Sequence, residues 1–276
     1  MASEGGIVKR FLNLVALGAS LLWLLAPAAA AQTAERFDYG SYARLLQKYV
    51  TPQGQVRYAA LKADREDLEA FLAQLAATSP ENRPDLFRDT ASRLAYWINA
   101  YNAFVLHSVV ESYPVKGPLD IRYGFGLLFF KRTRHIAGGQ RLSLDHIEHQ
   151  ILRKRFLDPR IHFAINCASA SCPPLAPKPF LPKTLDTQLG EVARAFIQDE
   201  RNVRMRGDTL FLSKIFDWYT DDFVGFLRQT GSSQTSVIDY VLLYLPAETA
   251  EQLQGERPRV EFLDYDWSLN NAPPRD

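Results

Sequence analysis

Residues 92–110 constrain the fold more than any other stretch of this chain. Read at helical spacing they are apolar on nearly every side, through Leu94, Tyr96, Trp97, Ile98, Tyr101, Phe104, Val105, Leu106 and Val109. A helix without a polar face belongs at the centre of a domain, with other elements packed around it. Asn99, Asn102 and His107 then become buried polar groups. Asn99 and Asn102 lie about 60° apart around the helix, on one face. Buried amides must be hydrogen-bonded. A neighbouring backbone is the ordinary partner for each, and a catalytic imidazole that one of them orients is the sharper alternative.

Amphipathic periodicity predicts further helices over 37–49, with Tyr42, Leu45, Leu46 and Tyr49 on one stripe, and over 61–77, 143–157, 185–199, 215–227 and 237–245. Ser79 to Pro84 reads as a turn-rich connector. Strands are expected at 127–130 and 134–142 around Gly138-Gly139, at 160–166, at 203–206 and 209–212 around Gly207-Asp208, and at 260–263. Helices outnumber strands and several strands pair as hairpins. The expectation is a single α+β domain: a central buried helix and a small, mostly antiparallel sheet flanked by helices, rather than a doubly wound parallel sheet. No repeat and no interdomain linker interrupts it.

The N-terminus carries Lys9 and Arg10, then an apolar run over 11–25, then small residues from Ala28 to Ala31. That pattern predicts a secretory signal peptide over 1–31, cleaved after Ala30 or Ala31. The run falls short of the roughly 20 residues of a spanning helix. The remaining 32–276 is expected to be an exported domain, periplasmic in a bacterium, with no membrane partner after cleavage. The chain holds 32 basic and 31 acidic residues, a net charge of +1. Removing Glu4, Lys9 and Arg10 takes away +1 and leaves about zero, so nothing favours nucleic acid or anionic lipid. There is no phosphate-binding glycine loop, dinucleotide fingerprint or Gly-x-Ser-x-Gly elbow, and no cofactor is expected. Asp145, His146 and His149 resemble a ligand cluster but lack the spacing of two histidines four apart, so a metal is not expected either. The substrate class stays open among small molecules, peptides and proteins.

Both cysteines fall in one short stretch, Cys167-Ala168-Ser169-Ala170-Ser171-Cys172-Pro173-Pro174. Three readings compete for it. In the first, Cys167 is a nucleophile, with N–H groups of 168–171, Ser169 and Ser171 among them, lowering its pKa and holding an oxyanion. The 143–157 helix, capped by Ser143, offers partners. Its stripe of Leu144, Ile147, Ile151 and Leu152 has Glu148 in the middle, while Asp145 and His149 sit four apart and can touch. His146 points away. His149 is the preferred base, oriented by Asp145, Glu148 or a buried Asn. His162 is a weaker base: on a regular strand 162, 164 and 166 share a face and Cys167 lies on the other, unless Asn166 bends the chain. In the second reading Cys167 and Cys172 are a redox or structural pair. Their four-residue gap differs from the two-residue gap of thioredoxin-like motifs. A disulfide closing so small a loop adds at most about 2–3 kcal/mol. A labile disulfide that protects a nucleophile would join these two readings. In the third, the segment is a tight loop that helps bind a ligand or partner. Asp217, Asp221 and Asp222 beside Trp218 and Tyr219 either line a cleft or form a solvated helix start.

Four motifs together, Tyr96-Trp97-Ile98-Asn99-Ala100-Tyr101-Asn102-Ala103, Glu148-His149-Gln150-Ile151-Leu152-Arg153, His162 through Pro173, and Tyr265-Asp266-Trp267, resemble the domain-of-unknown-function family 547, DUF547. The likeness runs across most of 32–276, with its core at about 85–228. It implies a shared fold more than a reaction. Some eukaryotic members carry glutaredoxin-type domains, which associates the family with thiol chemistry. Some plant relatives have serine in place of Cys172, which implies that Cys167 carries the general role. The His-before-Cys order is unlike papain and fits a permuted papain-like arrangement. Residues and resemblance lead to one expectation, a cysteine-nucleophile hydrolase or transferase acting on an amide- or ester-like bond. The alternatives are a non-catalytic binding domain with a structural Cys167–Cys172 disulfide and a thiol-redox protein.

Overall fold

The Thr90–Ser112 helix runs through the core with nearly every side chain buried. It starts on a reciprocal cap: Asp89 accepts from the Ser92 N–H at 2.6 Å and Ser92 Oγ bonds back to the Asp89 backbone. The computed structural model describes residues 36–121, 128–233, 235–256 and 258–273. The expected signal peptide lies outside them. No helix among the described residues is long and apolar enough to cross a membrane.

Packed on the central helix are Tyr58–Ala63, Glu66–Ala77, Leu185–Ile197 and the helical stretch that begins at Leu144. Gly40–Tyr49 lies against Glu66–Ala77 and buries the expected Tyr42, Leu45, Leu46 and Tyr49. A second apolar cluster forms around Phe163, Phe196, Phe216, Phe223 and Tyr240. One two-stranded sheet pairs His135–Ala137 with Gln140–Leu142 across the expected glycine turn. A three-stranded sheet pairs Val203–Arg206 antiparallel to Thr209–Leu212, and Thr209–Leu212 parallel to Arg259–Phe262. The domain is α+β.

Several segments depart from the sequence reading. The expected 61–77 helix breaks at Asp64-Arg65 into Tyr58–Ala63 and Glu66–Ala77. Leu128–Arg132 is a helix and not a strand; of the expected 127–130 strand, Leu127 lies outside the described residues. Ala247–Glu256 is a helix the periodicity did not suggest. The expected 215–227 helix breaks at Tyr219 into Lys214–Trp218 and Thr220–Gln229.

The correction that matters most concerns 160–166. This is no strand but one helical turn, Ile161–Ala164, followed by an extended Ile165. Asp158-Pro159 starts the turn, and His162 N–H donates to the Pro159 carbonyl at 3.1 Å. All four residues of the turn are buried. With apolar surroundings on every side, the alternation of a half-exposed strand has nothing to select it. The strand-parity argument against His162 therefore lapses.

Ser143 caps the next helix as expected, accepting from His146 N–H at 3.1 Å. The helix then widens to π spacing over Ile147–Leu152, resumes at Arg153–Phe156, and stops at a left-handed Leu157, φ 54°. Single π turns of this kind re-aim side chains and cluster at functional sites. This one carries Glu148 and His149.

Candidate active site

Two asparagines of the central helix each grip a passing backbone in both directions. Asn99 donates to the Phe180 carbonyl at 2.7 Å and accepts from Phe180 N–H at 3.0 Å. Asn102 donates to the Ala164 carbonyl at 3.0 Å and accepts from Asn166 N–H at 2.8 Å. Neither amide orients an imidazole, so Asn99 leaves the list of catalytic groups, and Asn102 becomes the anchor of the segment that delivers Cys167.

Asn166 turns that segment. Its Oδ1 accepts from Ala168 N–H at 2.9 Å and from Asn270 Nδ2 at 3.2 Å, and its Nδ2 donates to the Pro173 carbonyl at 2.8 Å. The side chain thus clamps both ends of the cysteine loop. Ala168 sits at φ 70°, a left-handed conformation uncommon outside glycine.

A C-terminal strap, 265–270, lies along the loop. Ala170 N–H donates to the Ser268 carbonyl at 2.7 Å, Ser171 N–H to the Asp266 carbonyl at 3.2 Å, and Asn270 N–H to the Ala168 carbonyl at 3.0 Å. The small residues 168–171 let the strap come this close. Gly117 fixes it from behind, where a Cβ would meet the Trp267 carbonyl oxygen at 2.1 Å. On the other side Gly54, at φ +76°, makes room for Pro174.

Most N–H groups of the expected oxyanion segment already have partners, and the Ser169 N–H turns to the Cys167 sulfur. The N–H groups of Ala168, Ala170, Ser171 and Cys172 are spent on Asn166, Ser268, Asp266 and the Ser169 carbonyl. Ser171 Oγ accepts from Asp266 N–H at 2.9 Å, which makes it a strap contact.

The Cys167 sulfur instead lies against two hydroxyls, Ser169 Oγ at 3.0 Å and Tyr265 Oη at 3.3 Å, which are 2.8 Å from each other. Both cysteines are free thiols, and Cys172 Sγ accepts from Cys167 N–H at 2.9 Å. Burial alone would push the Cys167 thiol up. Hydrogen bonds from the Cys172 thiol, from the Ser169 and Tyr265 hydroxyls and from Ser169 N–H outweigh it, and the thiol falls from 9.0 to about 7. Cys172 moves the opposite way, raised well above 9.0 by burial and then by its bond to Cys167. Burial, and then the charge on Cys167, raise the Tyr265 hydroxyl, so it stays a donor.

Across the cleft stands a connected polar network. Glu148, buried as its place on the stripe required, accepts from Tyr101 Oη at 3.1 Å and Tyr219 Oη at 2.5 Å. Burial holds both phenols above their ordinary value. Arg153 forks onto Asp222 with bonds of 2.6 and 2.9 Å and packs 5.0 Å over the Tyr219 ring. Its Nη1 also lies 2.8 Å from His149 Nδ1. Arginine only donates, so His149 Nδ1 accepts, and the proton of the neutral ring sits on Nε2, 3.8 Å from Asp145.

His162 donates from Nε2 to Asp222 at 2.7 Å and stacks on Tyr219, rings 3.8 Å apart. Its Nδ1 is buried without a hydrogen-bond partner. Burial lowers the His162 pKa against the pull of Asp222. Asp222, which burial alone would raise, is held below the ordinary carboxylate value by His162 and Arg153. It is the hub of the network and not a solvated helix start. Asp217, by contrast, pairs with Lys214 at 2.9 Å.

Cys167, Cys172, Asp145, Glu148, His149 and His162 all line one cleft of about 460 Å³. Trp218, Tyr265 and Trp267 form an aromatic wall, with ring centroids 4.6 to 5.8 Å apart. The structure does not bring His149 into hydrogen-bonding contact with the Cys167 sulfur; the partners of that sulfur are the Ser169 and Tyr265 hydroxyls, the Cys172 thiol and the Ser169 N–H. Sequence reasoning missed Tyr265, Arg153 and Tyr101 as site residues and named Tyr219 only as a neighbour of three aspartates. Tyr265 had one signal, its place in the Tyr-Asp-Trp motif, but nothing in the sequence tied it to the thiol. Among the described residues no group of three or more His, Cys, Asp or Glu side chains could hold a metal ion.

Comparison with curated proteins and with solved structures gives no match. The family described as "Protein of unknown function, DUF547" matches residues 87–197, a segment that takes in the central helix, the Glu148–Arg153 stretch and the whole cysteine loop. Over that segment the chain is similar to the DUF547 family.

Proposed function

We propose that this protein is an exported thiol-dependent hydrolase or transferase that attacks an amide- or ester-like bond with Cys167. The observation that carries the reading is the Cys167 sulfur in the cleft, between the Ser169 and Tyr265 hydroxyls at 3.0 and 3.3 Å. Hydroxyl donors favour the thiolate, which is the nucleophilic form. With the thiol lowered to about 7, much of it is ionised at neutral pH without a base to take its proton. The thiolate adds to the carbonyl carbon, the carbonyl electrons move to oxygen, and the collapse expels an amine or alkoxide that takes up a proton. The thioester left on Cys167 passes its acyl group to water or to another nucleophile. His149, which lines the same cleft, is the imidazole assigned to these proton transfers in this reading. The Trp218, Tyr265 and Trp267 wall supplies an apolar surface for the body of the substrate. Export rests on the charged, apolar and small-residue pattern of 1–31.

Incubation with p-nitrophenyl acetate at neutral pH, followed by intact-mass and peptide mapping, tests this. The expected result is one acetyl group on Cys167 and none in Cys167→Ser. Acetylation spread over lysines, with Cys167 free, would leave a binding domain as the better reading.

A further inference from the structure

The nucleophile reading leaves the second sulfur without a task. Cys172 lines the same cleft and its Sγ lies 2.9 Å from the Cys167 amide nitrogen. The Cys167 sulfur is three covalent bonds from that same nitrogen, and the two thiols hydrogen-bond each other. The loop cannot spread to part them. Asn166 ties its start to the Pro173 carbonyl at 2.8 Å, and the strap holds Ala168, Ala170 and Ser171. The two cysteines are also unlike. Cys167 has two hydroxyls on its sulfur, while the Cys172 sulfur caps a backbone N–H.

A thiolate beside a protonated thiol, in an accessible cleft, is the arrangement in which a first oxidation is caught by a second sulfur before it goes further. We propose that Cys167 reduces hydroperoxides and that Cys172 resolves the product as an intramolecular disulfide, which silences the acyl-transfer site until a dithiol reductant reopens it. The inference rests on the reading of Cys167 as a reactive thiolate.

The chemistry balances in two steps. The Cys167 thiolate attacks the terminal oxygen of the hydroperoxide; an S–O bond forms, the O–O bond breaks, and the alkoxide leaves and takes a proton to become an alcohol. Cys167 is then a sulfenic acid. Cys172 attacks its sulfur; the S–S bond forms, the S–O bond breaks, and the departing hydroxide takes the Cys172 proton and leaves as water. Two thiols and one hydroperoxide give one disulfide, one alcohol and one water. Burial raises the Cys172 thiol, which keeps its proton ready for that hydroxide. Oxidised Cys167 has no lone thiolate to offer a carbonyl.

The test treats the full chain with one equivalent of cumene hydroperoxide. In the wild type the two free thiols should fall to zero, with a Cys167–Cys172 crosslink in the peptide map and full recovery after dithiothreitol. In Cys172→Ser, dimedone should trap a sulfenic acid on Cys167. In Cys167→Ser, Cys172 should remain a thiol. Sulfinic acid on Cys167 of the wild type, or disulfides only between chains, would overturn the proposal. Iodoacetamide labelling of untreated protein separates the two levels. Cys167 that labels at neutral pH but forms no internal disulfide sinks only the switch; Cys167 that neither labels nor acetylates sinks the nucleophile as well.

Discussion

Ser169 and Tyr265 place their hydroxyls 2.8 Å apart and both against the Cys167 sulfur, though 96 residues separate them in the chain. Losing one hydrogen bond to a charged acceptor costs about 1.5–3 kcal/mol, or roughly one to two pKa units. Tyr265→Phe should therefore move Cys167 upward from about 7 and cut its thiolate fraction, and so slow its alkylation, at neutral pH by about 5- to 50-fold. The pH profile of iodoacetamide labelling measures this, and a midpoint that stays in place removes Tyr265 from the account.

Asn99 and Asn102 make the same pair of bonds to different backbones, which separates stability from reactivity. Asn99→Ala and Asn102→Ala each strand buried backbone groups and should destabilise by about 2–4 kcal/mol in urea unfolding. Asn102→Ala should also shift the Cys167 titration, because it frees the Ala164–Asn166 segment. Asn99→Ala should not. Equal shifts in both would show that the thiol senses only general loosening.

Asn166 clamps the loop at both ends, so its replacement should cost more than a single contact. Asn166→Ala leaves Ala168 N–H, the Pro173 carbonyl and Asn270 Nδ2 without this partner. A loss of about 3 kcal/mol or more is expected at this buried site. Asn166→Asp keeps the acceptor and should recover part of the loss at neutral pH. Urea midpoints that rank the two variants the other way would contradict the clamp.

Acid should destabilise the fold in two windows. The folded pKa of His162 is below its ordinary 6.5, so its contribution is complete above 6.5 and declines as pH falls through and below that value. Asp222 is also lowered, so its contribution is complete above 3.8 and is lost as pH falls further. Thermal melts of His162→Gln should lose the first window and keep the second. A wild-type melting temperature flat from pH 7 to pH 5 would remove the His162 part.

The fold was legible where pattern and burial agree. The all-round apolar helix had to be central, Ser143 had to cap, and Glu148 had to face inward and find partners. The nearness of Asp145 and His149 also followed from their spacing of four on one helix. The Ile161-His162-Phe163-Ala164-Ile165 run was misread because a short, fully buried apolar run carries no period that separates strand from helix. Asp222 and Tyr265 were illegible for another reason. Their roles come from pairings to Arg153, His162 and Cys167 that lie 60 to 98 residues away, and no local pattern encodes such distances.

The strap has a consequence for the order of events in a folding chain. Cys167 lies within the matched segment 87–197, but Tyr265 follows 98 residues later and is made well after it. Until that segment docks, the thiol lacks one of its two hydroxyls and the loop lacks its cover. On the proposed thiolate reading, the nascent chain should hold Cys167 nearer the reactivity of an ordinary cysteine, and a chain clipped just before Tyr265 should keep its sulfur but revert toward that state.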